Sequence, residues 1–266
     1  MLNSFQSEGR AAFIPFLVAG DPSVSATERV VDILVEEGAD LLELGVPFSD
    51  ALADGPVIQA ASERASRICG SMKLVLELAT RIHARHPRLP LILFTYYNPV
   101  LRFGVDRFAR SAREAGVSAT LVVDLPPEAS TDYRKVLAEH GIKTVFLASP
   151  TTSSERMPAI AEASTGFIYY VSRTGVTGVQ QSLSESLASE LQALRALTRK
   201  PVAVGFGISN AEQAAKVALL GDAVVVGSAF VRIMARYPAP EHSDRMEAEI
   251  RVLARELSAA VRGARL

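Results

Sequence analysis

The chain has 266 residues, 48% of them hydrophobic, and its 28 Lys and Arg nearly cancel its 29 Asp and Glu. That length suits one large α/β barrel or two small domains, and the charge balance supplies no basic field for nucleic acid or a membrane surface. A lone cysteine, Cys69, excludes an internal disulfide and any multi-cysteine metal site.

Met1–Arg10 carries no apolar signal core, and charges interrupt each later apolar run before it reaches the width of a bilayer. The sequence therefore predicts a soluble, cytoplasmic protein. Eight short apolar runs then alternate with longer amphipathic segments. The runs predicted as strands are Phe13–Ala19, Asp40–Val46, Leu91–Tyr96, Ala119–Asp124, Thr144–Ala148, Gly166–Val171, Val202–Phe206 and Ala223–Val226. Their near-continuous hydrophobicity fits parallel strands covered on both faces.

Between the first two strands, Ser25 and Glu28 have capping-box spacing, Val31, Leu34 and Val35 form an apolar stripe, and Gly38 follows as a stop. Further helices are predicted over Ser130–His140, ending at Gly141, and over Asn210–Leu220, ending at Gly221. Segments before Phe13 and after His242 read as added helices, the latter patterned by Met246, Ile250, Leu253 and Leu257. The predicted fold is one α/β domain over residues 1–266, a (β/α)8 TIM barrel with extra terminal helices. A doubly wound open sheet is the alternative, because alternation alone does not show closure.

Three groups of residues stand out for chemistry. Glu43 lies within an apolar strand, where burial disfavours its ionised form. It is either a structural carboxylate paired with a basic neighbour or an acid–base group. Asp54, in the loop that follows, would complete a carboxyl pair on the face where barrels place their active sites. By itself an aspartate beside Gly55 and Pro56 is an ordinary turn residue.

Gly205-Phe206-Gly207 and Gly227-Ser228 end the last two strands. Backbone N–H groups there, with Ser228 opening a short helix, suit a phosphate. Arg173-Thr174-Gly175-Val176-Thr177-Gly178 reads as a lid beside that site, or as a plain connection. His83, His86, His140 and His242 read as helix-surface or loop residues, and no metal site is predicted. Lys143 opens its strand at the end opposite the expected active site, which disfavours a Schiff-base aldolase.

The run Leu42-Glu43-Leu44-Gly45-Val46-Pro47-Phe48-Ser49-Asp50, continued by Ala53-Asp54-Gly55-Pro56, resembles the signature of tryptophan synthase alpha chains. The likeness extends through Ala19-Gly20-Asp21-Pro22, Tyr97-Asn98-Pro99, Asp124-Leu125-Pro126, Ser172-Arg173, Gly175-Val176-Thr177-Gly178, Gly205-Phe206-Gly207-Ile208 and Gly227-Ser228. Ala51 departs from the proline usual in that family, and Val18 from a frequent threonine.

The resemblance implies a carbon–carbon lyase that splits indole-3-glycerol phosphate into indole and glyceraldehyde 3-phosphate. Glu43 would transfer the protons, and Asp54 would accept the indole N–H. Gly178, Gly207, Gly227 and Ser228 would hold the phosphate. Phe16, Phe94, Leu121, Leu147, Tyr169 and Phe206 would surround the indole, and Thr177 would reach Asp54. It also implies a beta-subunit partner in a heterotetramer of two alpha and two beta chains. Pyridoxal phosphate would belong to that partner, with no cofactor in this chain. The motifs leave open a stand-alone lyase that releases free indole. Retention of Glu43 and Asp54 argues against an inert regulatory subunit, and the Glu43-to-Asp54 signature disfavours a sugar-phosphate isomerase.

Overall fold

The computed structural model describes residues 2–171, 180–205 and 207–265. Eight parallel strands close into a barrel in chain order: β1 (Ala12–Val18), β2 (Leu42–Gly45), β3 (Leu91–Thr95), β4 (Val117–Val122), β5 (Lys143–Ala148), β6 (Ile168–Val171), β7 (Val202–Gly205) and β8 (Ala223–Val226). Because β1 pairs with both β2 and β8, the sheet has no edge, and the (β/α)8 barrel is borne out over the open sheet.

Side-chain alternation divides each strand between two cores. Leu42 and Leu44 join the layer between barrel and helices, along with Phe13, Leu17, Leu91 and Leu93. Ala12, Ile14, Ile92, Leu121, Val145, Phe167, Ala203 and Val225 fill the interior. At the bottom, Leu2 and Phe5 pack into this interior cluster; Phe5 belongs to the short helix Asn3–Ser7. One residue of shift in β2 would exchange Glu43 for leucine on the inner face, so register decides the site.

Most predicted elements persist with small boundary changes. The first long helix is Val24–Glu36, and its cap is Ser23, whose Oγ accepts from Ala26 N at 3.0 Å. The predicted Ser25–Glu28 capping box is therefore wrong. Glu28 instead bonds Arg81 of the Met72–Arg85 helix, an interhelical ion pair that the local spacing does not reveal. Gly38 carries φ +96°, which suits the predicted stop at the only residue type without a Cβ. Asn210 caps Ala211–Leu220 by accepting from Gln213 N at 2.9 Å. The C-terminal helix Ser243–Gly263 is tied to the first long helix where Arg251 and Arg255 meet Glu37 at 2.8 and 2.9 Å. His86 is more than a surface residue: its Nε2 lies 2.7 Å from Asp32 Oδ1 and ties the end of the Met72–Arg85 helix to the first long helix.

Candidate active site

The barrel's upper interior is built from the C-terminal halves of the strands. Phe16 stands opposite Glu43 across β1 and β2, Gly45 opposite Phe94, Phe94 opposite Leu121, and Leu147 opposite Tyr169. Phe16 and Phe94 meet edge-to-face with centroids 5.2 Å apart. Phe94, Leu147 and Tyr169 pack onto the interior cluster, of which Leu121 is a fully buried member. All five described residues expected around the ring thus share one apolar chamber.

Glycines make room for its aromatics. A Cβ on Gly45 would meet the Phe16 ring at 2.7 Å, and one on Gly205 would meet the Tyr169 hydroxyl at 2.2 Å. Gly205, grouped with a phosphate loop in the sequence, is therefore a spacer for Tyr169.

Glu43 is fully buried in this chamber, and neither carboxyl oxygen has a hydrogen-bond partner among the described residues. The paired structural carboxylate allowed by the sequence does not occur among them. Burial with no cation to offset it raises its pKa to about 8, so the group is mainly a neutral acid at neutral pH.

Asp54 sits in the loop after β2. The loop is pinned from the Pro56–Cys69 helix, where the Gln59 amide donates to the Asp54 carbonyl at 2.8 Å and the Ala51 carbonyl at 3.1 Å. Burial raises the Asp54 pKa to about 6, opposed by a hydrogen bond from Tyr96. That phenol donates to Oδ2 at 3.0 Å and accepts from Ala53 N at 3.0 Å. Burial raises the Tyr169 pKa first, and the charges of Glu43 and Asp54 raise it further. Glu43 and Asp54 are thus one mostly protonated and the other mostly ionised at neutral pH.

Across the mouth, Gly207 adopts φ +73°, a left-handed conformation that strains other residues. Gly227 caps the helix Ser228–Arg236, and Arg232 Nη2 donates to Ser228 Oγ at 3.2 Å. A helix N-terminus with a cation one turn inside it attracts an anion. Thr177, Gly178 and the rest of Arg173–Gly178 lie outside the described residues, as does Phe206.

Sequence reasoning missed Tyr96, Gln59 and Arg64. Tyr96 falls at the end of a predicted strand beside the Tyr97-Asn98-Pro99 motif, but its partner is 42 residues away. Arg64 fixes the loop after β1 through bonds of 2.9 Å to both carboxylate oxygens of buried Asp21. Among the described residues no group of three or more His, Cys, Asp or Glu is placed to hold a metal, and no helix is long and apolar enough to cross a membrane.

A parallel TIM barrel with a buried carboxyl and a second carboxylate at its C-terminal mouth has the layout of a barrel enzyme, whose active site lies at that end. The family model for the tryptophan synthase alpha chain matches residues 2–262. A tryptophan synthase alpha chain from Solibacter usitatus is 47% identical, covering 97% of this chain and 95% of its own length.

Solved structures agree. The tryptophan synthase alpha chain from Legionella pneumophila superposes with a TM-score of 0.87 at 35% identity, covering 98% of this chain and 95% of that one. A chain of tryptophan synthase from Mycobacterium tuberculosis gives 0.85 at 34% identity, covering 98% and 96%. The chain belongs to the tryptophan synthase alpha chain family, and it is a carbon–carbon lyase of tryptophan biosynthesis.

Proposed function

We propose that Glu43 and Asp54 carry the family's reaction in this chain, the retro-aldol cleavage of indole-3-glycerol phosphate to indole and glyceraldehyde 3-phosphate. The observation that carries this assignment is the buried, unpartnered Glu43 among the aromatic side chains of the barrel's upper interior, with Asp54 held by Tyr96 in the loop that follows its strand.

Glu43 enters the reaction protonated and donates to indole C3, which places positive charge on the ring. Asp54, ionised, accepts the indole N–H and stabilises that charge. The bond from C3 to the side-chain carbon then breaks, and its electron pair restores the aromatic ring. The Glu43 carboxylate removes the proton from that carbon's hydroxyl as the aldehyde forms. Glu43 is thereby reprotonated, so one group serves both steps without external acid or base. A pKa near neutrality suits both halves of this exchange.

Phe16, Phe94, Leu121, Leu147 and Tyr169 hold the indole by apolar contact, together with Phe206. Gly207, Gly227 and Ser228 hold the phosphate, with Gly178 added from the loop, and Thr177 reaches Asp54. The partner is a beta subunit, in a heterotetramer of two alpha and two beta chains in the cytoplasm. Pyridoxal phosphate serves that subunit, and this chain uses no cofactor.

Indole release measured with and without a cognate beta subunit tests the assignment. Slow release that accelerates with the partner is the expected result. Fast release that ignores saturating partner would indicate a stand-alone lyase, and no release in either case would remove the catalytic assignment.

A further inference from the structure

Tyr96 is the one described side chain that grips both the Asp54 carboxylate and the backbone beside it. Its ring is 5% exposed and lies 5.0 Å from that of Phe48. The Ala53 N–H fixes where the phenol oxygen sits, and the phenol hydrogen is then aimed at Asp54 Oδ2. Accepting one hydrogen bond polarises the phenol and makes it a better donor in the next. We propose that Tyr96 is a positioning residue for catalysis, which holds the Asp54 carboxylate ionised and oriented toward the indole N–H. This inference rests on the Asp54 role proposed above.

A purely mechanical loop anchor explains the geometry less well. Gln59 already ties the loop through two backbone carbonyls, and it touches neither carboxylate oxygen. Tyr96 adds a charge-assisted bond to the reacting group itself, and it occupies one oxygen while leaving the other for substrate. The titratable groups facing this pair are few. The charges of Asp54 and Glu43 act on Tyr169 of β6, and that of Asp124, just after β4, acts on Tyr96. None of these is a cation, so the phenol's donation is the described interaction that opposes protonation of Asp54.

The experiment is a double-mutant cycle on the full chain with its beta subunit, with Tyr96→Phe, Asp54→Asn and the pair, read as kcat and KM over pH. Tyr96→Phe keeps the ring against Phe48 and removes only the hydroxyl. The expected result is a kcat lower by about 10- to 100-fold. KM should change little, because the phosphate still anchors the substrate. The acid limb of kcat should move up by roughly one pH unit. In the Asp54→Asn background the same substitution should lose most of its effect.

An unmoved acid limb, or an equal loss in the Asp54→Asn background, overturns the role of Tyr96 and leaves Asp54 intact. Near-native activity of Asp54→Asn overturns the Asp54 assignment itself, and the Tyr96 role with it. The position of a pH limb does not depend on the fraction of active protein, so partial misfolding of Tyr96→Phe would not mimic the result.

Discussion

The carboxylates buried at the barrel's N-terminal end and Glu43, toward its C-terminal end, are held in opposite ways. At the N-terminal end, Asp40 receives two bonds from Arg10 at 2.8 and 2.9 Å and the Phe13 N–H at 2.9 Å. Asp222, ahead of β8, takes the Val202 N–H at 2.8 Å and Arg195 at 3.2 Å. Toward the other end, Glu43 takes nothing from the described residues. The partnered carboxylates clamp strand ends together, whereas the solitary one has no cation to favour its ionised form. A buried unpaired carboxyl is expensive for the fold, and it persists where its chemistry is needed.

The sharpest way to break this contrast is to exchange the functional carboxyls for amides. Glu43→Gln should keep the barrel and lower turnover by roughly 10²-fold or more, because the amide transfers no proton. Asp54→Asn should also be severe, since a neutral amide does not stabilise positive charge as a carboxylate does. Steady-state indole release with a circular-dichroism check of the fold measures both, and near-native rates would remove the corresponding role.

The proposed phosphate site lies at the same end as Glu43. A Cβ on Gly227 would already approach the Phe16 ring at 3.0 Å, so a bulky residue there intrudes on the chamber and crowds the helix N-terminus. Gly227→Val should weaken binding of indole-3-glycerol phosphate and glyceraldehyde 3-phosphate by about 10-fold or more, judged from charge-assisted bonds of about 1.5–3 kcal/mol. Simple indole analogues should lose less. Calorimetry that finds equal losses for both ligand types would point to general damage to the chamber.

The opposite end should respond the other way. Asp222→Ala leaves the Val202 N–H buried without its acceptor, and the expected cost is about 1–3 kcal/mol of stability. Its kcat and KM should stay near native, since Asp222 lies below the chamber. A denaturant titration set beside the kinetics checks the division. A large catalytic defect with unchanged stability would erase the contrast between the two ends.

Legibility from the sequence follows the same divide between local and distant causes. The strands were readable because buried parallel strands are apolar on both faces, and Glu43 was visible as a charge interrupting Leu42 and Leu44. That same uniform hydrophobicity hid which face of each strand pointed inward, and only the barrel register revealed it. Ser25 and Glu28 have the spacing of a cap, yet Ser23 caps the helix and Glu28 bonds Arg81 on another helix, a distant contact that local spacing does not show. Tyr96 was hidden for a related reason: a tyrosine ending an apolar strand reads as core until the loop folds over it. Family resemblance supplied the roles of the chamber residues, which apolar character alone does not distinguish from ordinary packing.

A subtler test uses stability against pH. Burial raises the Glu43 pKa from 4.5 to about 8 in the folded chain. Between those values the unfolded chain ionises this carboxyl while the folded chain retains the proton. The folded state binds more protons, so the group's contribution to stability falls as pH rises through that window and levels off above it. Glu43→Gln lacks this dependence. The difference in melting temperature, variant minus wild type, should therefore increase from about pH 5 to about pH 8 and then flatten. Asp54 has a raised pKa of the same sign, but it is present in both proteins and cancels in the difference. A gap that stays constant across the range would show that Glu43 is not held neutral by burial.

The smallest expected effect concerns the loop after β2 that carries Ala51, read against the proposed beta subunit. Ala51 is buried, and its carbonyl accepts from Asp54 N at 3.0 Å and from the Gln59 amide at 3.1 Å. Leu52, next to it, is 89% exposed, which leaves an apolar side chain available to a partner. The hydrogen bonds described at Ala51 use its carbonyl, which proline retains. Proline would narrow the free loop's conformations and so reduce what partner binding must order, provided the backbone of Asp50 accepts the extended geometry preferred before proline. Such substitutions contribute about 0.4–1 kcal/mol. Ala51→Pro should therefore lower the beta-subunit concentration for half-maximal activation by about 2- to 5-fold, with little change in the rate at saturation. A titration of indole release against beta subunit measures this directly. Weaker activation would mean that proline strains the loop. An unchanged midpoint would mean that this loop is already ordered before the partner arrives, as its ties to Gln59 and Tyr96 would allow.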